Sequence, residues 1–116
     1  MDLGLNGAKV LVIASTRGIG FAVARRFGLE GARVVVSSRR AEHVRGAVER
    51  LRGEKIEVYG VVVDLTVRED RFRLVDEAAR LLGGLDVLVY NTGGLHREAL
   101  RRWVLRIGSM PRGCFF

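Results

Sequence analysis

Ala8-Lys9-Val10-Leu11-Val12-Ile13-Ala14-Ser15-Thr16-Arg17-Gly18-Ile19-Gly20 is the stretch on which the fold turns. Residues 8–13 form a β-rich apolar run that follows the turn pair Asn6-Gly7. A glycine-bearing turn spans Ala14 to Gly20. Beyond it, Ile19, Ala22, Val23 and Phe27 recur at helical spacing, and Gly28 and Gly31 close that helix. The stretch therefore reads strand, tight turn, helix.

The same alternation continues outward. Residues 33–37, Arg-Val-Val-Val-Ser, are a second strand. Val44, Ala47, Val48 and Leu51 share one face of a second helix that Gly53 ends. Residues 56–63 are a third strand. Thr66-Val67-Arg68-Glu69 has the spacing of a capping box, Thr66 capping the helix and Glu69 reaching back. Phe72, Val75, Ala79 and Leu82 line the third helix, with Gly83 at its end. Residues 85–89 are a fourth strand. The strands are continuous Val/Leu/Ile runs, as expected where helices cover both faces of a parallel sheet. The expected fold is α/β, a doubly wound parallel sheet of Rossmann type, N-terminal half only.

Glycine at 18 and 20 lets a dinucleotide approach the backbone closely. The helix start then offers free N–H groups and a positive dipole end to a pyrophosphate. Two glycines alone are a weak signal; the strand before and the helix after strengthen it. The competing reading is a tight structural turn with no ligand.

Here the sequence resembles the short-chain dehydrogenases/reductases. That family carries Thr-Gly-x-x-x-Gly-x-Gly where this chain has Ile13-Ala14-Ser15-Thr16-Arg17-Gly18-Ile19-Gly20. The last two glycines match, and Ala14 replaces the first. Gly31-Ala32-Arg33-Val34-Val35-Val36 looks like the family's second strand. Asp64-Leu65 stands where the family's Asp borders the adenine ring. Asn91-Thr92-Gly93 resembles the family's Asn-Ala-Gly. The resemblance covers about residues 5–94 and implies that Ala14, Ser15, Thr16, Arg17, Gly18, Ile19, Gly20, Asp64, Leu65, Asn91, Thr92 and Gly93 border a dinucleotide. The plainer readings are a helix-start or solvated acid for Asp64, and a strand-tying residue for Asn91.

An acid near the end of the second strand accepts the ribose hydroxyls of NAD, and an Arg there accommodates the extra phosphate of NADP. This chain has Ser38, followed by Arg39 and Arg40, with Arg17 inside the turn. Two guanidinium groups can clamp a phosphate dianion. NADP(H) is therefore expected over NAD(H). The alternative is that Arg39 and Arg40 are ordinary surface charges.

The family's proton relay is a Ser with Tyr-x-x-x-Lys on one helix. Tyr59 has Val63 four residues on, Tyr90 has Gly94, and no lysine follows Lys55. No catalytic residue is assigned, and the expected function is the cofactor-binding half of an alcohol/carbonyl oxidoreductase. The alternative is a non-catalytic nucleotide-binding module completed by a partner chain. By resemblance the full-length parent is open to homo-oligomer formation. His43, His96 and the lone Cys114 have no metal-ligand spacing, and His43 is read as a solvated helix residue.

Of the 116 residues 48% are apolar, enough for one domain with one core. One cysteine suits a reducing cytoplasm, and no apolar run approaches the ~20 residues of a membrane span. The net charge of +7 is uneven. Residues 1–94 hold fifteen basic and twelve acidic side chains, and residues 95–116 hold five arginines and one glutamate. Only Lys9 and Lys55 are lysine. Arg97, Arg101, Arg102, Arg106 and Trp103 could contact nucleic acid; a solvated tail is the reading adopted, with no nucleic-acid partner. Domain 1–94 is expected as the dinucleotide-binding half, and 95–116 as a basic tail with the look of a frameshifted translation.

Overall fold

The computed structural model describes residues 6–13 and 18–90. In chain order they form β1 (Lys9–Ile13), α1 (Gly18–Leu29), β2 (Arg33–Ser38), α2 (Ala41–Gly53), β3 (Val58–Val62), α3 (Arg68–Leu82) and β4 (Val87–Tyr90). All strands are parallel and lie in the order β3-β2-β1-β4. The fold class expected from the alternating pattern is the one observed.

Side-chain alternation along the strands divides the core in two. Val10 and Val12 of β1 join Val34 and Val36 of β2, together with Phe21 and Ala24 of α1 and Ala47 and Leu51 of α2. Leu11, Ile13 and Val35 face the other way, onto Leu74, Val75, Ala78 and Leu82 of α3. Seven valines, leucines and isoleucines of β1 and β2 are thus sealed from solvent on one side or the other: Val10, Leu11, Val12, Ile13, Val34, Val35 and Val36 are all 0% exposed, and Val58 continues the layer in β3 at 2%. Burial of each contributes ~1.5–3 kcal/mol. At Gly60 of β3, a Cβ would lie 2.3 Å from Val44 Cγ1 of α2, so only glycine lets that helix seat on the strand.

Several expectations are corrected. Helix α3 buries Leu74 and Ala78, while Ala79 and Phe72 are half-buried; the sheet-facing stripe is rotated from the one expected. The capping box does not form. The helix N-cap is Val67, with no side-chain cap hydrogen bond. Instead the Thr66 N–H and hydroxyl both donate to Asp64 Oδ1, at 2.9 and 2.7 Å, and Asp70 Oδ2 accepts the Asp64 N–H at 2.9 Å. The acid two residues ahead of Thr66 makes an Asx-type turn and so takes the hydroxyl away from the helix. His43 is half-buried, not solvated, because it lies at the margin of the α2 face that Val44 and Ala47 bury.

Candidate functional site

Four parallel strands put all their carboxyl ends on one edge of the sheet. The chain runs outward from β1 through β2 to β3, then returns to the far side of β1 as β4. This reversal creates a crevice outside the β1 and β4 ends, the usual ligand position in such sheets. Ile13 pairs with Tyr90 there, and Ser38 pairs with Val62 one strand further out.

Three groups of the expected site residues fall on this edge. Gly18, Ile19 and Gly20 open α1. Gly18 has φ +59°, and among the described residues nothing lies within 4 Å of the place a Cβ would take. Gly20 is buried, while Ile19 stands 72% exposed beside it. The first turn of α1 carries no acidic residue, so no carboxylate of its own offsets the positive end of the helix dipole. Ser38, Arg39 and Arg40 follow β2. Ser38 O accepts the Val63 N–H at 3.0 Å, tying the β2 and β3 ends together. Ser38 Oγ accepts the Arg40 N–H at 3.4 Å, a long bond. Asp64 and Leu65 follow β3, both half-exposed. Ala14, Ser15, Thr16, Arg17, Asn91, Thr92 and Gly93 lie outside the described residues.

The charges of the edge are unequal. Arg39 and Arg40 are exposed. Arg40 Nη1 lies 4.0 Å from Glu42 Oε1, and Arg39 takes part in no ion pair among the described residues. The Asp64 carboxyl is held below its ordinary value. The Thr66 hydroxyl is the main cause, the Thr66 N–H adds to it, and the charge of Arg39 contributes further. The charge of Arg39 thus reaches the β3 end. Asp70, which fixes the Asp64 backbone, was not singled out from the sequence; its only signal there is an acid in the first turn of a helix following Asp-x-Thr. Among the described residues no group of three His, Cys, Asp or Glu could hold a metal, and no helix is long and apolar enough to cross a membrane.

Set beside known proteins, residues 8–104 match the profile of the family described as short chain dehydrogenase. The dehydrogenase/reductase SDR family member 4 of Bos taurus is 51% identical over 87 residues, which are 75% of this chain and 31% of that protein. A short chain dehydrogenase from Mycobacterium smegmatis superposes with a TM-score of 0.75 at 33% identity, over 88% of this chain and 49% of that one. A variant of the actinorhodin polyketide ketoreductase, solved with NADPH, gives 0.72 at 32% identity, over 87% and 45%. The chain spans about a third of the length of the relatives it matches.

Proposed function

The chain belongs to the short-chain dehydrogenase family, and from that premise we propose that it forms the NADP(H)-binding half of an oxidoreductase acting on an alcohol or carbonyl. The observation that carries the cofactor choice is the β2 end. Ser38 stands where an acid would accept the ribose hydroxyls of NAD, and Arg39 is exposed with no ion pair among the described residues. Arg39 and Arg40, with Arg17, are the groups to hold a 2′-phosphate by charge-assisted hydrogen bonds. The space over Gly18 fits the group as well: among the described residues no atom lies within 4 Å of the place its Cβ would take, which leaves the α1 start room for a pyrophosphate. The family resemblance assigns Ala14, Ser15, Thr16, Ile19 and Gly20 to the same pyrophosphate contact. On this reading Asp64 and Leu65 border the adenine, and the family resemblance assigns Asn91, Thr92 and Gly93 to the same ligand.

The nicotinamide, when bound, supplies the hydride donor or acceptor. This chain's own residues bind and orient it. No Ser/Tyr-x-x-x-Lys relay is found in the sequence: Tyr59 and Tyr90 are followed four residues on by Val63 and Gly94. On this reading the chain by itself binds cofactor and does not turn over substrate. A lone cysteine suits a reducing compartment, and the protein is placed in the cytoplasm. The second reading, a nucleotide-binding module completed by a partner chain, draws on β4, which has no second strand neighbour among the described residues.

Titration of the chain with NADPH and with NADH, followed by nicotinamide fluorescence, tests the cofactor choice. NADPH is expected to bind about tenfold tighter or more, the size of one good charge-assisted contact. Equal or tighter NADH binding overturns it.

A further inference from the structure

Among the described residues the β3 strand forms one rim of the sheet, and its backbone can be sorted by direction. Glu57 O accepts the Val34 N–H, and the Val63 N–H donates to Ser38 O, so the odd-numbered residues face β2. In a parallel ladder the alternate residues face away. Val58, Gly60 and Val62 therefore turn their N–H and C=O groups outward. An open row of this kind is a template for another strand.

The segment itself is suited to such pairing. Val58-Tyr59-Gly60-Val61-Val62-Val63 is uncharged, proline-free and rich in β-branched residues. Gly60 is exposed at its centre and, held as glycine by Val44, offers no side chain to shield the backbone. Val62 is 41% exposed.

Two arginines close the row from opposite faces. Arg52, in the last turn of α2, donates from Nη2 to Val58 O at 3.2 Å. Arg73, on α3, donates from Nη2 to Val62 O at 3.0 Å and is held by Asp70 Oδ1 at 3.4 Å. Of the three outward carbonyls, only that of Gly60 is left between them. Both guanidinium groups also place charge where an incoming strand would lie, and charge is a common means of blunting an edge.

We propose that Arg52 and Arg73 are edge guards that prevent the β3 rim from pairing, about a two-fold axis near Gly60, with the β3 rim of a second copy of this chain. A second copy is the occupant because the row is symmetric about Gly60, with one guarded carbonyl on either side, and antiparallel strand addition satisfies an isologous contact. The proposal is independent of the cofactor reading.

The test is sedimentation velocity of the full chain over a concentration series, with folding checked by circular dichroism. Arg52→Met with Arg73→Met keeps the apolar stems and removes both donors. This variant is expected to roughly double its weight-average mass relative to the unmodified chain as concentration rises, the signature of an isologous dimer. Adding Val62→Pro removes an outward N–H at a half-exposed position and is expected to return the mass to that of the unmodified chain. If the double variant does not fold, each single replacement is read in the same way and is expected to associate more weakly. No mass increase in the folded variants, or an increase that Val62→Pro leaves in place, overturns the proposal.

Discussion

The two ends of the sheet are built from similar residue types and use them differently. At the amino end a charged residue stands at or just before the start of every strand, and its neighbours consume it. Asp86, just before β4, accepts the Lys9 N–H at 2.9 Å and donates its own N–H to Lys9 O at 2.8 Å. Lys9 Nζ reaches Gly83 O at 3.2 Å, and Arg33 Nη1 reaches Leu82 O at 2.9 Å, so two cations sit on the last carbonyls of α3. Arg33 also pairs with Glu57. The Glu57 carboxylate, and then Tyr59, hold the Arg33 guanidinium in its charged form. At the carboxyl end Arg39 has no such ion-pair partner among the described residues, Gly18 faces open space, and Ile19 is exposed. Paired charges mark the end that holds the fold, and a cation without an ion pair beside the α1 start marks the end to which the proposed cofactor is assigned.

The contrast breaks most visibly at Arg39. Arg39→Glu places an acid behind β2 and is expected to weaken NADPH binding by about a hundredfold, on the scale of ~3 kcal/mol for a lost charge-assisted hydrogen bond. NADH binding should hold or improve, and the melting temperature should stay where it was. Parallel loss of both cofactors would place Arg39 in the structural class instead.

Asp86→Ala probes the opposite end. It leaves the half-buried Lys9 N–H without its acceptor, and a loss of about 1–3 kcal/mol in denaturant unfolding is expected. Asp86→Asn keeps an acceptor and should recover most of it. NADPH affinity of the folded protein should be unchanged in both, and a fall in affinity would erase the distinction between the two ends.

The smallest effect concerns pH at the β3 end. Asp64 has a folded value below its ordinary one, chiefly because Thr66 hydrogen-bonds the carboxylate. Its contribution is therefore present in full above the ordinary aspartate range and is lost as pH falls through the depressed value. Unfolding midpoints measured from neutral to strongly acidic pH should fall less steeply for Thr66→Val than for the parent chain. Equal slopes would show that the turn does not bind Asp64 in its charged form.

Much of this was legible in the chain. The apolar runs at 8–13 and 33–37 are buried strands, and the segment expected as a turn from Ala14 to Gly20 has its last three residues inside α1, with 14–17 outside the described residues. The β-α alternation was enough for a parallel sheet, because only crossover helices can return the chain to the same end. The misread places are those where several residues compete for one role. Asp64, Glu69 and Asp70 all lie within four residues of Thr66 in sequence, and spacing favoured Glu69, yet it is Asp64 that accepts the Thr66 hydroxyl and N–H. On α3, Phe72 and Ala79 fit a helical stripe as well as Leu74 and Ala78 do. The phase is decided by the turn that launches the helix at Val67.

What the sequence determined by itself was therefore local and periodic: element types, their order, the glycine-bearing turn, and the absence of an acid at Ser38. Hydrophobic period and turn chemistry act over a few residues and need no partner to be read. What only the tertiary structure decided was which distant groups meet. Arg33 and Leu82 are 49 residues apart, and Lys9 and Asp86 are 77 apart. Arg52 and Arg73 come to one strand from opposite faces. The pattern of charges along the chain is the same whether such cations are consumed or free, and only the packing of helices on the sheet sets the distances that separate the two.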